Sequence, residues 1–325
     1  MDLNGLKGFL GKDWDNVRHL IEDSLKSDID MLDSTNRMIL SNSGKQLRPL
    51  ISILVARACG GGKATESSYR YAAAAELLHN ATLLHDDVAD NSCQRRGLPT
   101  VMSLMGPSVS VLLGDYWLVK AMGLVIGPEK ESHRVIRIFS KTLSDLAEGE
   151  MFQLQKAQSG DTTEEDYLRI IFSKTASLFE ASAVSAAISV GASPEIEKAV
   201  RDYAVALGIA FQIRDDIFDY SVSENIGKPV GVDIMEQKIT MPLLGVLAGN
   251  GREEEIREKI REIGSHPEYR DELIGYVREN GGIGYAQRRL EDFVSEAVDS
   301  LGVLPDSEEK AALAELALYV GQRTI

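Results

Sequence analysis

Two short acidic runs carry the groups best equipped for chemistry in this chain. The first is His85-Asp86-Asp87-Val88-Ala89-Asp90; the second is Asp215-Asp216-Ile217-Phe218-Asp219. Both read D-D-x-x-D. On a helix, offsets of one and four set three carboxylates within an arc of about 100°. Like charges that close repel and raise one another's pKa. Six of them need a cation to stay ionised. Hard oxygen ligands suit Mg2+, which is usually bound through one or two carboxylates plus substrate phosphates. The two clusters are therefore expected to form two walls of one metal–diphosphate site. A lone copy reads better as a solvated acidic helix end. Two copies, each adjoining an apolar helical stretch and each followed by basic residues, favour the metal.

The basic residues come in a fixed order around the acids. Gly44-Lys45-Gln46-Leu47-Arg48-Pro49 offers a lysine and an arginine at a loop-to-helix junction. A diphosphate is well served by a point charge and a planar fork together. Arg95 and Arg96 follow the first motif, Lys174-Thr175 lies between the motifs, and Lys228 and Lys238 follow the second. Each alone is a surface charge by default.

In this order, the residues from about 44 to 242 resemble the trans-type polyprenyl diphosphate synthases of the all-helical isoprenoid synthase family, most closely its long-chain bacterial members. The resemblance implies an all-α fold, a single large helical bundle forming one domain over 1–325. It implies a magnesium-dependent, head-to-tail condensation of isopentenyl diphosphate with an allylic diphosphate. Asp86, Asp90 and Asp215 would hold the metal, three Mg2+ per active site, and Asp87 would join them in catalysis. Lys45, Arg48, His79 and Arg96 would hold isopentenyl diphosphate. Arg95 would face the allylic diphosphate. Lys174 and Lys228 would serve its leaving group, with Thr175, Gln212 and Lys238 as further binding positions. Gln46 stands where many relatives have a basic residue, and Gln237 where a glycine is common. A homodimer is the family expectation.

Product length by the same resemblance is set on the helix that leads into Asp86. Thr82 lies four residues upstream of Asp86 on nearly the same face, with Leu78 and Ala75 farther down and Ala81 at the flank. Short-chain members close the pocket there with an aromatic residue. Ala81 and Thr82 are small, so a chain beyond geranylgeranyl is expected, with a deeper floor from Leu118, Met122 or Met151. The alternatives are a short-chain synthase making farnesyl or geranylgeranyl diphosphate, a terpene cyclase, a non-catalytic subunit of a heteromeric synthase, or an acidic cation-binding protein. A cyclase needs no second-substrate cations, and accessory subunits tend to lose aspartates; both motifs here are whole.

The positioning elements follow from composition and periodicity. The 325 residues are 44% hydrophobic but only 6% aromatic, with alanine and leucine prominent, which favours helix. The net charge of -15 argues against a nucleic-acid partner. Cys59 and Cys93 fit neither a disulfide framework nor a metal spacing, and a reducing cytoplasm is the expected compartment. No signal peptide is evident. The longest uncharged run, 97–114, is broken by Pro99, Gly106 and Pro107, so no stable membrane span is expected. Helices are expected over 13–32 with Asp13 as its cap, from near Pro49 to the glycines at 60–62, and over 66–90, 107–125, 130–158, 163–190 and 194–220. Loops are expected at 91–106 and 221–237. Charged helices follow, and no run has the alternation of a strand.

Overall fold

A computed structural model describes residues 2–42, 44–95, 97–220, 230–247 and 251–322. In chain order the helices are α1 (Leu3–Leu10), α2 (Lys12–Ser24), α3 (Asp30–Ser41), α4 (Leu47–Cys59), α5 (Glu66–Ala89), α6 (Val101–Met105), α7 (Pro107–Val125), α8 (Ser132–Ser159), α9 (Glu164–Ile171) and α10 (Ser177–Ser189). They continue as α11 (Pro194–Asp219), α12 (Val232–Met235), α13 (Met241–Leu247), α14 (Glu253–Arg261), α15 (Tyr269–Glu279), α16 (Gly282–Ser300) and α17 (Glu308–Gln322). A hairpin of two two-residue strands, β1 (Gln94–Arg95) and β2 (Leu98–Pro99), is the only sheet among the described residues. The fold is all-α. The chain divides into two compact units: 1–141, 178–201 and 303–315 in the first, and 142–177, 202–302 and 316–325 in the second.

The first unit is organised on α4 and α5. Leu50, Ile51, Ile53, Leu54 and Val55 of α4, and Ala72 to Ala75, Leu77 and Leu78 of α5, are wholly buried. Helices apolar on every side belong in a core. The alanines let neighbours approach closely, and α7 does so: a Cβ on Gly114 would overlap the imidazole of His85. Ser110 of α7 donates its hydroxyl to the Leu84 carbonyl at 2.8 Å. These bonds and packing fix the end of α5, where the first acidic motif stands. By length and composition α7 is apolar enough to cross a membrane. It turns one side to α5 and leaves Leu112 69% and Val119 68% exposed.

The N-terminal region departs from expectation. The apolar spacing predicts a single helix over 13–32, but the chain there divides between α2 and α3, and α1 precedes them. Gly11, at a φ of 52°, separates α1 from α2, and α2 stops at Ser24. Buried Asn36 of α3 donates to the carbonyl of Leu25 at 2.8 Å and accepts the indole N–H of Trp117 at 2.8 Å. A buried amide satisfied on both ends is strong enough to hold that break. Asp13 is not a cap; it lies in the first turn of α2, accepts the hydroxyl of Tyr69 at 2.7 Å and pairs with Arg57.

The second unit packs α13 on α16. A Cβ on Gly282 would overlap the carbonyl of Pro242, so the crossing depends on a missing side chain. The α9 helix opens with a reciprocal cap between Thr163 and Asp166, and its Glu164 takes Arg289 at 2.9 Å and the hydroxyl of Tyr285. Residues 172–176 form a π-helical turn between α9 and α10. Such turns are rare and concentrate at functional sites.

Candidate active site

In the first unit, α5 ends on its acidic motif. Asn91 takes a left-handed φ of 49°, and Ser92 donates its N–H to the Asp87 carbonyl at 2.8 Å. The carboxylates thus stand at the negative end of the helix dipole, where a cation is favoured. Asp86 is half-buried and Asp90 exposed, but Asp87 is only 4% exposed. Arg95, delivered by the hairpin, donates Nε–H to Oδ1 of Asp87 at 2.9 Å. Burial pushes the Asp87 carboxyl up, against the pull of Arg95. Asp87 and Arg95 therefore bond each other in this structure, about 100° round the helix from Asp86. Lys45 is half-buried ahead of α4, Arg48 lies 4.8 Å over the ring of Phe179, and His79 is half-buried on α5. Gln46 has a left-handed φ of 56° and accepts Lys7 Nζ at 3.3 Å. Leu78 and Ala81 are wholly buried, whereas Thr82 is half-buried with its hydroxyl on the His79 carbonyl. Arg96 lies outside the described residues.

In the second unit, α11 ends on the other motif and its three acids diverge. Asp216 is 4% exposed; it accepts the hydroxyl of Tyr167 at 2.6 Å and Nε2–H of Gln212 at 2.8 Å. Burial pushes its pKa up to about 7, with those two donors opposing. Asp219 accepts the backbone N–H groups of Val232 and Asp233, both at 3.1 Å, and so caps α12. Asp215, half-buried, is the remaining acid.

The expected polar residues of this unit do converge. Lys174, Thr175, Gln212 and Lys238 line one pocket of about 140 Å³, together with Tyr167, Asp216 and Asp233. Lys174 and Thr175 ride on the π turn, which is wedged between two glycines. A Cβ on Gly208 would sit 2.6 Å from Cα of Ala176, and one on Gly149 would sit 2.5 Å from Cβ of Ser173. Thr175 donates to Gln212 Oε1 at 2.9 Å; Lys174 is held by Gln153 at 3.1 Å and by Glu150. Lys238 pairs with Glu236. Gln237 has a left-handed φ of 59°, the geometry a glycine would supply; it is offset by bonds from Nε2 to the Arg261 carbonyl at 2.8 Å and the Ile260 carbonyl at 3.4 Å. Lys228 lies outside the described residues. Tyr167, Glu150 and Asp233 belong to this site and are not expected from the sequence. They stand on α8, α9 and α12, and no spacing in the sequence ties them to the Lys-Thr pair.

Carboxylate oxygens are hard donors and fit Mg2+. Among the described residues, no three His, Cys, Asp or Glu side chains gather into a ready cage. An ion held by one or two carboxylates and completed by phosphate and water matches that arrangement.

An all-helical chain with D-D-x-x-D at two helix ends, and with lysines and arginines following each in the sequence, fits a prenyltransferase of the isoprenoid type. Comparison with known proteins agrees. The chain is 37% identical over 319 residues to octaprenyl diphosphate synthase from Haemophilus influenzae, covering 98% of this chain and 96% of that one. Its fold matches a decaprenyl diphosphate synthase from Rhodobacter capsulatus with a TM-score of 0.91 and 33% identity, over 99% of both chains. It also matches a polyprenyl synthase from Caulobacter crescentus CB15, complexed with calcium and isoprenyl diphosphate, at 0.89 and 32%, over 99% of this chain and 98% of that one. Residues 29–277 match the family described as Polyprenyl synthetase, and the chain belongs to it. The enzyme is a trans-polyprenyl diphosphate synthase: it condenses isopentenyl diphosphate with an allylic diphosphate.

Proposed function

We propose that this enzyme makes a long-chain product, and that Asp86, Asp90 and Asp215 hold the magnesium that binds the allylic diphosphate, with three ions per site. The observation that carries the assignment is the convergence of Lys174, Thr175, Gln212 and Lys238 on one pocket. Lys174 and Lys228 offset charge on the departing diphosphate. Lys45, Arg48, His79 and Arg96 hold isopentenyl diphosphate. Asp87 acts by holding Arg95 on the hairpin, from which Arg95 reaches the allylic diphosphate. Magnesium, when bound, supplies Lewis-acid neutralisation of the leaving group. The allylic carbon–oxygen bond breaks, the double bond of isopentenyl diphosphate attacks the cation, and the proton lost passes to the departed diphosphate. No protein base is needed.

Small residues at Ala81 and Thr82, and relatives named for octaprenyl and decaprenyl products, support a chain beyond geranylgeranyl. Met151, 68% exposed, is less suited to a floor than half-buried Leu118 or Met122. We infer one synthase domain in a homodimer, in the cytoplasm; the exposed Leu112 and Val119 of α7 support pairing with a second copy. The test is incubation of the protein with isopentenyl diphosphate, farnesyl diphosphate and Mg2+, followed by mass analysis of the dephosphorylated products. Extension of this starter to geranylgeranyl length and no further, or of geranyl diphosphate in a parallel incubation to farnesyl length and no further, would establish the short-chain alternative.

A further inference from the structure

We propose that Tyr167 is a positioning residue for the allylic-diphosphate pocket, acting through Asp216 on Gln212 and Thr175. The proposal rests on the reading above that this pocket receives the leaving group. Tyr167 is buried on α9, and a buried phenol needs a hydrogen-bond partner. Its partner is one oxygen of Asp216 at 2.6 Å; the other oxygen takes Gln212 Nε2 at 2.8 Å. With its amide nitrogen on the carboxylate, Gln212 must turn its oxygen outward, and Thr175 donates to that oxygen at 2.9 Å. The donors therefore run in one direction from Thr175 through Gln212 to Asp216, and Tyr167 closes the chain from the far side.

This closure matters because the last acceptor is buried. Without the phenol, one oxygen of Asp216, a residue only 4% exposed, loses its donor, and a buried carboxylate regains hydrogen bonds by turning. Turning releases Gln212, and Gln212 then releases Thr175. Both line the pocket beside Lys174. Tyr167 itself is fixed one residue beyond Asp166, which is tied to Lys156 at 2.9 Å and to the cap at Thr163. The anchor is thus rigid, and the residues it orders are those that meet the substrate.

The test is Tyr167→Phe, which removes one oxygen and keeps the ring; circular dichroism and the unfolding midpoint verify the fold. The expected result is a rise of about tenfold in KM for the allylic starter, the scale of one hydrogen bond to a charged group, with KM for isopentenyl diphosphate unchanged. Gln212→Ala alone should do the same. Adding Tyr167→Phe to Gln212→Ala should cost less than about twofold more, since residues acting in one chain are not additive. Thr175→Val, at the other end of the chain, must show the same coupling to Gln212→Ala, and it carries the test if Tyr167→Phe is unstable. An unchanged starter KM in Tyr167→Phe, an equal rise for both substrates, or multiplying effects would overturn the proposal. Lys174→Ala separates the two readings. If it leaves the starter KM unchanged while the coupling persists, the pocket assignment fails and the positioning role stands. If it raises the starter KM and Tyr167→Phe does not, the reverse holds.

Discussion

Arg95 Nε lies 2.9 Å from Oδ1 of Asp87, so the middle acid of the first motif is bound to a cation of its own hairpin. The expected outcome is that Asp87→Ala and Arg95→Ala lower activity to a similar extent, and that the double variant is little worse than either. Asp86→Ala should be far more damaging than Asp87→Ala. Steady-state rates of the four variants check this, the double-mutant cycle giving the coupling directly.

Removal of divalent metal with EDTA should abolish turnover, and added Mg2+ should restore it. Asp86→Ala and Asp215→Ala should each lower the rate by orders of magnitude with helical circular dichroism intact. Asp219 caps the backbone at Val232 and Asp233. Asp219→Asn, which keeps an acceptor, should therefore retain most activity, whereas Asp219→Ala should speed amide exchange at residues 231–238. A raised Mg2+ requirement in Asp219→Asn would instead make Asp219 a metal ligand.

Product length should respond differently at two neighbouring positions. Thr82 is half-buried, whereas Ala81 is wholly buried. Thr82→Phe should shorten the products toward farnesyl or geranylgeranyl while the protein stays folded. Ala81→Phe should also shorten them but should lower stability by about 1–3 kcal/mol through overpacking. Mass analysis and thermal unfolding measure the two effects separately.

The π turn should be sensitive to a single methyl group. A Cβ on Gly208 would stand 2.6 Å from the backbone of Ala176. Gly208→Ala should push the turn away and raise KM for the allylic starter, because Lys174 and Thr175 move with it. An unchanged starter KM, measured with the fold intact, would show that the turn does not place these residues.

The two thiols should differ in reactivity. Burial pushes Cys59 up to about 11, and the thiolate is the reactive form. Cys93 is exposed. At pH 8 a maleimide should label one thiol per folded chain, at Cys93, and two in denaturant. Labelling of Cys59 should appear only as pH approaches 11, since raising pH populates its thiolate there.

Much of the fold was legible because helix ends and chemistry coincide. The acidic motifs close α5 and α11, and the glycines at 60–62 stop a helix where expected. The break at Leu25 was not legible: Trp14, Val17, Ile21 and Leu25 continue one apolar face, and what ends the helix is Asn36, a residue distant in sequence. The inward turn of Asp87 was half visible. Asp86 and Asp90 are about 40° apart on a helical wheel, while Asp87 stands about 100° from Asp86. Its partner, though, is set by the hairpin. The π turn left no mark, since Phe-Ser-Lys-Thr-Ala has no residue that demands it. Tyr167 and Glu150 become site residues only through tertiary packing.

Lys174 reaches the pocket already holding Glu150. On the assignment proposed above, a diphosphate arriving there would not create an ion pair but displace one. Binding at this lysine is an exchange of anions, so its net energy is the difference between two pairings and not the whole of one. An exchange of that kind changes the count of exposed charges less than a new pairing does. Affinity contributed by Lys174 should therefore vary little with ionic strength, and Glu150→Gln should make it both tighter and more salt-sensitive. The internal carboxylate also keeps the lysine oriented between turnovers, so that each new substrate meets a side chain already in place.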